Sequence, residues 1–120
     1  MATITNARLT LTKGAGPNWT ATVRYTARFS QFEVNNFNFR DGFVLWEDDP
    51  FENDQITGVV GVSVFNPAAL SVNRTMTAVV SGDDLDTEIG QEEIFAKVRL
   101  RNLELNVLYT GATDTVHVSP

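Results

Sequence analysis

The sequence predicts an all-β domain built from two antiparallel sheets, and three observations support this fold class. First, apolar and polar residues alternate with a period of two over several segments, most regularly from Trp19 to Ser30. Successive side chains of a strand point to opposite faces, so each such run predicts a half-buried strand. Second, Thr and Val, which favour pleated surfaces, are abundant. Third, no segment combines the apolar spacing of an amphipathic helix with start and stop signals.

Length and composition limit the functions that the chain can have. The 120 residues suffice to bury a core, and residues 1–120 are predicted to form a single domain. The absence of cysteine excludes a disulfide scaffold, a thiolate metal site and a thiol nucleophile. The net charge of −6 argues against nucleic acid and against anionic membrane surfaces as partners. No apolar run reaches the roughly 18 residues that span a bilayer, and the N-terminus lacks the pattern of a secretory signal.

The strands are predicted from the alternating runs in chain order. These runs are Thr3–Thr12, Trp19–Ser30, Gln55–Phe65, Ser71–Ser81, Ile94–Arg101 and a short last strand at Thr115–Val118. Asp41–Gly42 is interpreted as a two-residue hairpin turn. The alternation shifts at Asn35–Asn36 and at Arg101–Asn102, and each shift is a bulge or a tight turn. Gly58 and Gly61, inside a predicted strand, indicate a bulge or a close contact between sheets, with the close approach of a ligand as the alternative.

Seven or eight strands separated by turn signals are expected for a two-sheet antiparallel sandwich. The arrangement predicted is an immunoglobulin-like or C2-like Greek key. An open barrel or a jelly roll is the alternative.

Acidic residues are concentrated in two short segments, 47–54 and 82–93, which hold eleven of the fifteen acidic side chains and no Lys or Arg. Two predicted strands lie between the segments, one running out and the next running back, so both segments are predicted to meet at one end of the domain. Carboxylates gathered within about 8–10 Å repel one another. Calcium, which takes about six to eight oxygen ligands in flexible geometry, would neutralise them. The predicted ligands are Asp48, Asp49, Asp54, Asp83, Asp84 and Asp86.

The alternative interpretation of the acidic segments is a solvated end that keeps the domain soluble. No EF-hand spacing is present in either segment. Trp46, directly before the first acidic segment, is interpreted as a core residue or as a stacking surface for a carbohydrate ligand. Arg24 and Arg28 on one strand, and Lys97, Arg99 and Arg101 on another, are interpreted as solvated polar faces.

The sequence therefore predicts a non-catalytic binding or interaction module, not an enzyme, with a protein or carbohydrate partner and Ca2+ as the cofactor. The alternative is a structural subunit of a larger assembly, of phage, tail or surface-layer type, in which copies of the chain form a homo-oligomer. A hydrolase that uses two of the loop carboxylates is a minor third class. His117, the only histidine, is interpreted as a surface residue.

Overall fold

The computed structural model describes residues 1–48, 53–86 and 92–119, and nearly all of its regular structure is β-strand. The strand pairs in these ranges are antiparallel, so the prediction of an all-β chain with antiparallel sheets is confirmed. No helix in the described ranges has the length and apolarity that a membrane crossing needs. The elements are β1 (Thr3–Lys13), β2 (Asn18–Arg28), β3 (Phe39–Glu47), β4 (Asp54–Gln55), β5 (Val60–Phe65), β6 (Ser71–Ser81), α1 (Gly82–Leu85), β7 (Glu92–Asn102), β8 (Val107–Ala112) and β9 (Val116–Val118).

The strands form two sheets that contact each other through their apolar faces. The three-stranded sheet has the order β1-β2-β6. The six-stranded sheet has the order β4-β3-β7-β8, with β5 also paired to β3 and β9 also paired to β7. Phe29, directly after β2, meets Phe39 of β3 with 4.8 Å between the ring centroids. Phe39 in turn stacks on Phe65 of β5. Each fully buried side chain of this size contributes about 1.5–3 kcal/mol.

The strand count differs from the prediction because the run Gln55–Phe65 is divided. The described residues form nine strands, whereas seven or eight were predicted. Between β4 and β5 the Thr57 Oγ1 accepts a hydrogen bond from the Leu45 amide at 3.1 Å. The amides of Ile56 and Thr57 both donate to the carbonyl oxygen of Leu45, so the contact with β3 continues here without the regular ladder of a strand.

Gly61 lies at an irregular point of the β3–β5 pairing and has a φ of +65°. A Cβ at this position would lie 2.7 Å from Cε1 of Phe43 and 3.2 Å from the carbonyl oxygen of Thr77 on the other sheet. The left-handed backbone and the close approach both require glycine. The prediction of a bulge or a close contact is therefore confirmed at Gly61. It is wrong at Gly58, which lies between β4 and β5 and has open space around it.

The interpretation of Asp41–Gly42 as a hairpin turn is wrong, because both residues lie inside β3. The Asp41 carboxylate points toward the other sheet and is fully buried. Its Oδ2 accepts hydrogen bonds from the Tyr25 hydroxyl at 2.7 Å and from Nε of Arg74 at 2.9 Å. The polar residue that resembled a turn former is thus an internal acceptor that joins β3 to β2 and β6.

This polar bridge between the sheets also changes the titration of its members. Burial raises the pKa of Tyr25 well above its usual range, and the Asp41 charge and hydrogen bond raise it further. Burial alone would lower the pKa of Arg74, but the hydrogen bond and charge of Asp41 reverse this effect and raise it. Arg74 also lies 3.9 Å above the centroid of the Phe65 ring. Tyr25 therefore keeps its hydroxyl proton and Arg74 its positive charge at neutral pH.

Both shifts in the sequence alternation are turns. Asn35, with a φ of +63°, lies in the turn that follows β2. At the end of β7, the Asn102 side-chain oxygen accepts hydrogen bonds from the amides of Glu104 and Leu105. Asn side chains that accept from nearby amides are typical turn formers. The chain therefore reverses at each shift and resumes its alternation in a new strand.

Candidate functional site

The outer face of the six-stranded sheet carries a stripe of basic side chains. Alternation along β3 buries Asp41, Phe43 and Leu45 and turns Arg40 and Trp46 to the outer face. Neighbouring β7 places its own basic residues on that face, and the register sets them beside β3. The opposed pairs are Arg40 with Arg101, Gly42 with Arg99, Val44 with Lys97 and Trp46 with Phe95. Four of the nine Lys and Arg residues of the chain therefore share one face.

Arg40 and Arg101 lie directly opposite each other across the β3–β7 pair. Like charges in directly opposed positions destabilise a sheet. Among the described residues, no ion pair involves Arg40, Lys97, Arg99 or Arg101. Arg101 donates from Nη1 to the side-chain oxygen of Asn106 at 2.9 Å, which orients the guanidinium without neutralising it. The stripe is an arrangement that an external anion would stabilise.

A groove of about 270 Å³ runs between these arginines and apolar side chains. We call it the arginine groove, and it is lined by Arg40, Asp41, Gly42, Val59, Val62, Arg99, Arg101 and Leu108. The Asp41 carboxylate is fully buried and is paired with Arg74, so it places no charge in the groove. Gly42 forms part of its floor, because a Cβ there would lie 2.9 Å from Val59 and 3.3 Å from Val62. Val59 and Val62 are about half exposed, at 49% and 53%. The groove thus combines permanent positive charge with apolar walls.

Trp46 lies in a second depression of about 390 Å³ that shares Val59 and Arg99 with the arginine groove. The Trp46 ring is half-buried, and the Lys97 ammonium lies 4.1 Å from its centroid. A cation over an indole face is attracted by the ring quadrupole. The two depressions are therefore neighbours, and Trp46 places an aromatic surface in the one that lies toward the acidic segments.

The predicted calcium ligands occupy several different elements. Asp48 follows β3, and its amide donates to the Glu93 carbonyl oxygen at 2.8 Å. Its carboxylate accepts a hydrogen bond from Thr115 Oγ1 at 3.0 Å. Asp54 is exposed in β4, opposite Glu47. These contacts bring the ends of the two acidic segments together at one end of the six-stranded sheet.

The remaining predicted ligands lie around α1, whereas the sequence placed this region in a loop. Asp83 and Asp84 occupy its first turn and are exposed. The Asp83 amide donates to the Ser81 side chain, which caps the helix. Asp86 ends α1 and is exposed, and Asp49 lies outside the described residues. Within the described ranges, no three acidic or histidine side chains are close enough together to hold a metal ion.

The histidine has an ordinary surface position. Nδ1 of His117, in β9, lies 3.8 Å from Oε1 of Glu93 on the neighbouring β7, and both side chains are about half exposed. This geometry is a weak surface ion pair when the imidazole is protonated.

Reasoning from sequence missed the arginine groove, although one signal for it was present. Lys97, Arg99 and Arg101 were interpreted as a solvated face, and Arg40 was not connected to them because a turn was predicted at Asp41–Gly42. Continuous alternation from Phe39 to Glu47 would have placed Arg40 on the outer face. The positions of Val59 and Val62 carried no such signal, since they depend on the break between β4 and β5.

Comparison with known proteins supplies no family for this chain. No protein-family model matches the sequence, and no curated protein matches it. Among solved structures, the chain is similar to the X-ray structure of Northeast Structural Genomics Consortium target SoR45. The two share 6% sequence identity and a TM-score of 0.36, over 99% of this chain and 84% of that chain.

Proposed function

We propose that this chain is a non-catalytic binding domain that recognises an anionic partner through the arginine groove. One observation carries the proposal: three arginines line a groove beside exposed valines, and none of the three has a carboxylate partner among the described residues. This concentration of positive charge lies on a chain whose net charge is −6. Arginine binds carboxylates in a bidentate geometry and stays charged at every accessible pH. The partner is therefore a protein or a carbohydrate that presents carboxylates next to an apolar group.

The fold proposed for this domain is an immunoglobulin-like sandwich. In the constant-type arrangement the first, second, fifth and fourth strands form one sheet and the third, sixth and seventh form the other. If the short β4 is left out of the count, β5 takes the place of the fourth strand and β6 that of the fifth. The observed order β1-β2-β6 beside β5-β3-β7-β8 then follows from the constant-type arrangement when the fourth strand pairs with the third instead of the fifth. Loops at one end of such a domain, and the exposed faces of its sheets, are the usual binding surfaces.

Calcium binding at the acidic end is a separate part of the proposal. It is supported by the contact of Asp48 with Glu93, which joins the two acidic segments, and by the pairing of Asp54 with Glu47 within the first of them. Asp48 and Asp54 are the candidate ligands on the described part of the first segment, where no group of three such side chains is close enough to hold a metal ion. A bound cation would neutralise this end and order it. The assignment of the chain as non-catalytic stays a prediction from sequence.

The test of the proposed function is a titration with a defined anionic probe. The Trp19→Phe variant leaves Trp46 as the only tryptophan. Trp46 lies in the depression next to the arginine groove, so its fluorescence reports on ligands bound there. We expect a glutamate-only decapeptide to change this fluorescence in a saturable manner and a lysine-only decapeptide to have no effect. Adding Arg40→Gln and Arg101→Gln should weaken binding at least tenfold, because each lost charge-assisted hydrogen bond is worth about 1.5–3 kcal/mol.

The matched control replaces Arg24 and Arg28 by Gln. These two arginines lie on the exposed face of β2 in the other sheet, so their loss changes the net charge equally without touching the groove. Equal weakening by both pairs of substitutions would mean that the probe responds only to overall charge, and the groove would lose its assigned role.

A further inference from the structure

Charge is segregated along the six-stranded sheet. Arg40 begins β3 at one end, while Glu47 and Asp48 lie where β3 ends. At about 3.3–3.4 Å per residue, Arg40 and Asp48 are separated by about 27 Å. This distance is roughly three times the Debye length of about 8 Å at physiological ionic strength. Arg40, and Arg101 opposite it, therefore cannot be neutralised by the acidic end of their own molecule, although the two regions are opposite in charge.

We propose that the arginine groove binds the acidic end of a second copy of this chain, so that copies join head to tail. This inference rests on the proposed function of the groove and names its partner. The acidic end supplies the carboxylates that the groove lacks. Asp83 and Asp84 are exposed on the first turn of α1, and the neighbouring Leu85 is fully buried, which holds that turn against the domain. Carboxylates on a fixed turn lose little entropy when arginines bind them.

The net charge of −6 does not prevent this contact. Repulsion between whole molecules acts over long distances and is largely screened at 0.15 M salt. Ion pairs inside the groove would act at contact distance beside Val59 and Val62, and the contact itself would remove water from these side chains and reduce the screening. Local attraction therefore exceeds the repulsion of the whole molecules at moderate ionic strength, and it weakens as salt approaches 1 M.

The groove and the acidic end are different surfaces, so the contact is heterologous. Such contacts produce a ring when the rotation between copies closes and a filament when it does not. In either form, every interior copy uses both of its ends. The chain would then be a self-assembling subunit, and the binding partner predicted for the groove would be the chain itself.

Charge reversal with mixing tests this inference. One variant carries Arg40→Glu and Arg101→Glu, and a second carries Asp83→Lys and Asp84→Lys. Sedimentation velocity of the unsubstituted chain at 0.15 M salt is expected to give species larger than a monomer that disperse near 1 M salt. Each variant alone should be monomeric, with self-association weakened at least tenfold. An equimolar mixture should assemble again, because each variant then supplies the charge that the other has lost.

Two controls make every outcome decisive. The variant Arg8→Glu with Arg24→Glu lies on the other sheet and changes the net charge by the same amount as the groove variant, so it should assemble more strongly than that variant. Circular dichroism melting checks that each variant is folded. A folded, unsubstituted chain that stays monomeric at millimolar concentration overturns the inference. If that monomer still binds the glutamate decapeptide, the proposed function stands with another acidic partner; if it does not, both proposals fail.

Discussion

The Asp41→Asn substitution measures how much the buried carboxylate of Asp41, through its contacts with Tyr25 and Arg74, contributes to the free energy of unfolding. Asparagine keeps the shape and can still accept the hydrogen bond from Tyr25 through its oxygen. It removes the charge that Arg74 faces at 2.9 Å, and one rotamer turns an amide donor toward the guanidinium. Breaking a fully buried ion pair costs about 3–5 kcal/mol. The Arg74 side chain is 20% exposed, and water recovers part of this loss, so we expect about 2–4 kcal/mol.

Urea unfolding at pH 7, followed by circular dichroism, measures this loss. For a chain of this size, a loss of about 3 kcal/mol corresponds to a decrease in melting temperature of roughly 10 °C. The double variant Asp41→Asn with Arg74→Met should lose less than the sum of the two single variants, because no unpaired charge remains. Asp54→Asn, at an exposed position, is the control and should change stability by less than about 0.5 kcal/mol. A loss below about 1 kcal/mol for Asp41→Asn would refute the view that the bridge is a structural link.

Three further predictions concern strain, alkaline pH and calcium. Gly61→Ala should lower the free energy of unfolding in urea by about 2–4 kcal/mol, because of the left-handed backbone and the contact with the Phe43 ring. Gly58→Ala, at a position with open space, should be nearly neutral, and equal losses for the two variants would contradict the strain argument. The raised pKa of Tyr25 means that above pH 10 the unfolded phenol ionises while the folded one stays protonated. The free energy of unfolding should therefore fall by about 1.4 kcal/mol per pH unit there, and Tyr25→Phe should remove this contribution; unchanged slopes between pH 10 and 11 would count against it. Millimolar calcium should raise the melting temperature by on the order of 10 °C relative to EDTA, whereas magnesium should have little effect. The calcium shift should be smaller for Asp48→Asn, and the absence of any shift would identify a solvated acidic end.

The fold class was predictable from sequence because strand periodicity is local. The alternation from Trp19 to Ser30 corresponds to β2 with its buried Ala21, Val23, Tyr25 and Ala27. The errors arose where a distant residue decides the local structure. Asp41 resembles a turn former until Tyr25 and Arg74, which are 16 and 33 residues away, satisfy its carboxylate inside the protein. No pattern around Asp41 contains that information.

The candidate site was less predictable than the fold because it depends on register. The sequence gives no pairing partner for Arg40, and only the β3–β7 register sets this residue opposite Arg101. The acidic segments, by contrast, were visible from composition alone, and the contact of Asp48 with Glu93 agrees with their predicted meeting at one end. Which of their carboxylates would share a cation depends on side-chain geometry, and neither charge runs nor turn formers specify it.

The strand order also determines how the chain must fold. Residues of β2 pair with residues of β6 that lie 43 to 63 positions later, and β3, β4 and β5, which belong to the other sheet, lie between them. Only β1 and β2 of the three-stranded sheet can pair early, through a short loop. Closing the long loop costs entropy before any contact compensates for it, and such non-local topologies fold in milliseconds to seconds. Until β6 arrives, β2 has an unpaired edge, and this edge is where a nascent chain would be captured by a neighbour or a chaperone.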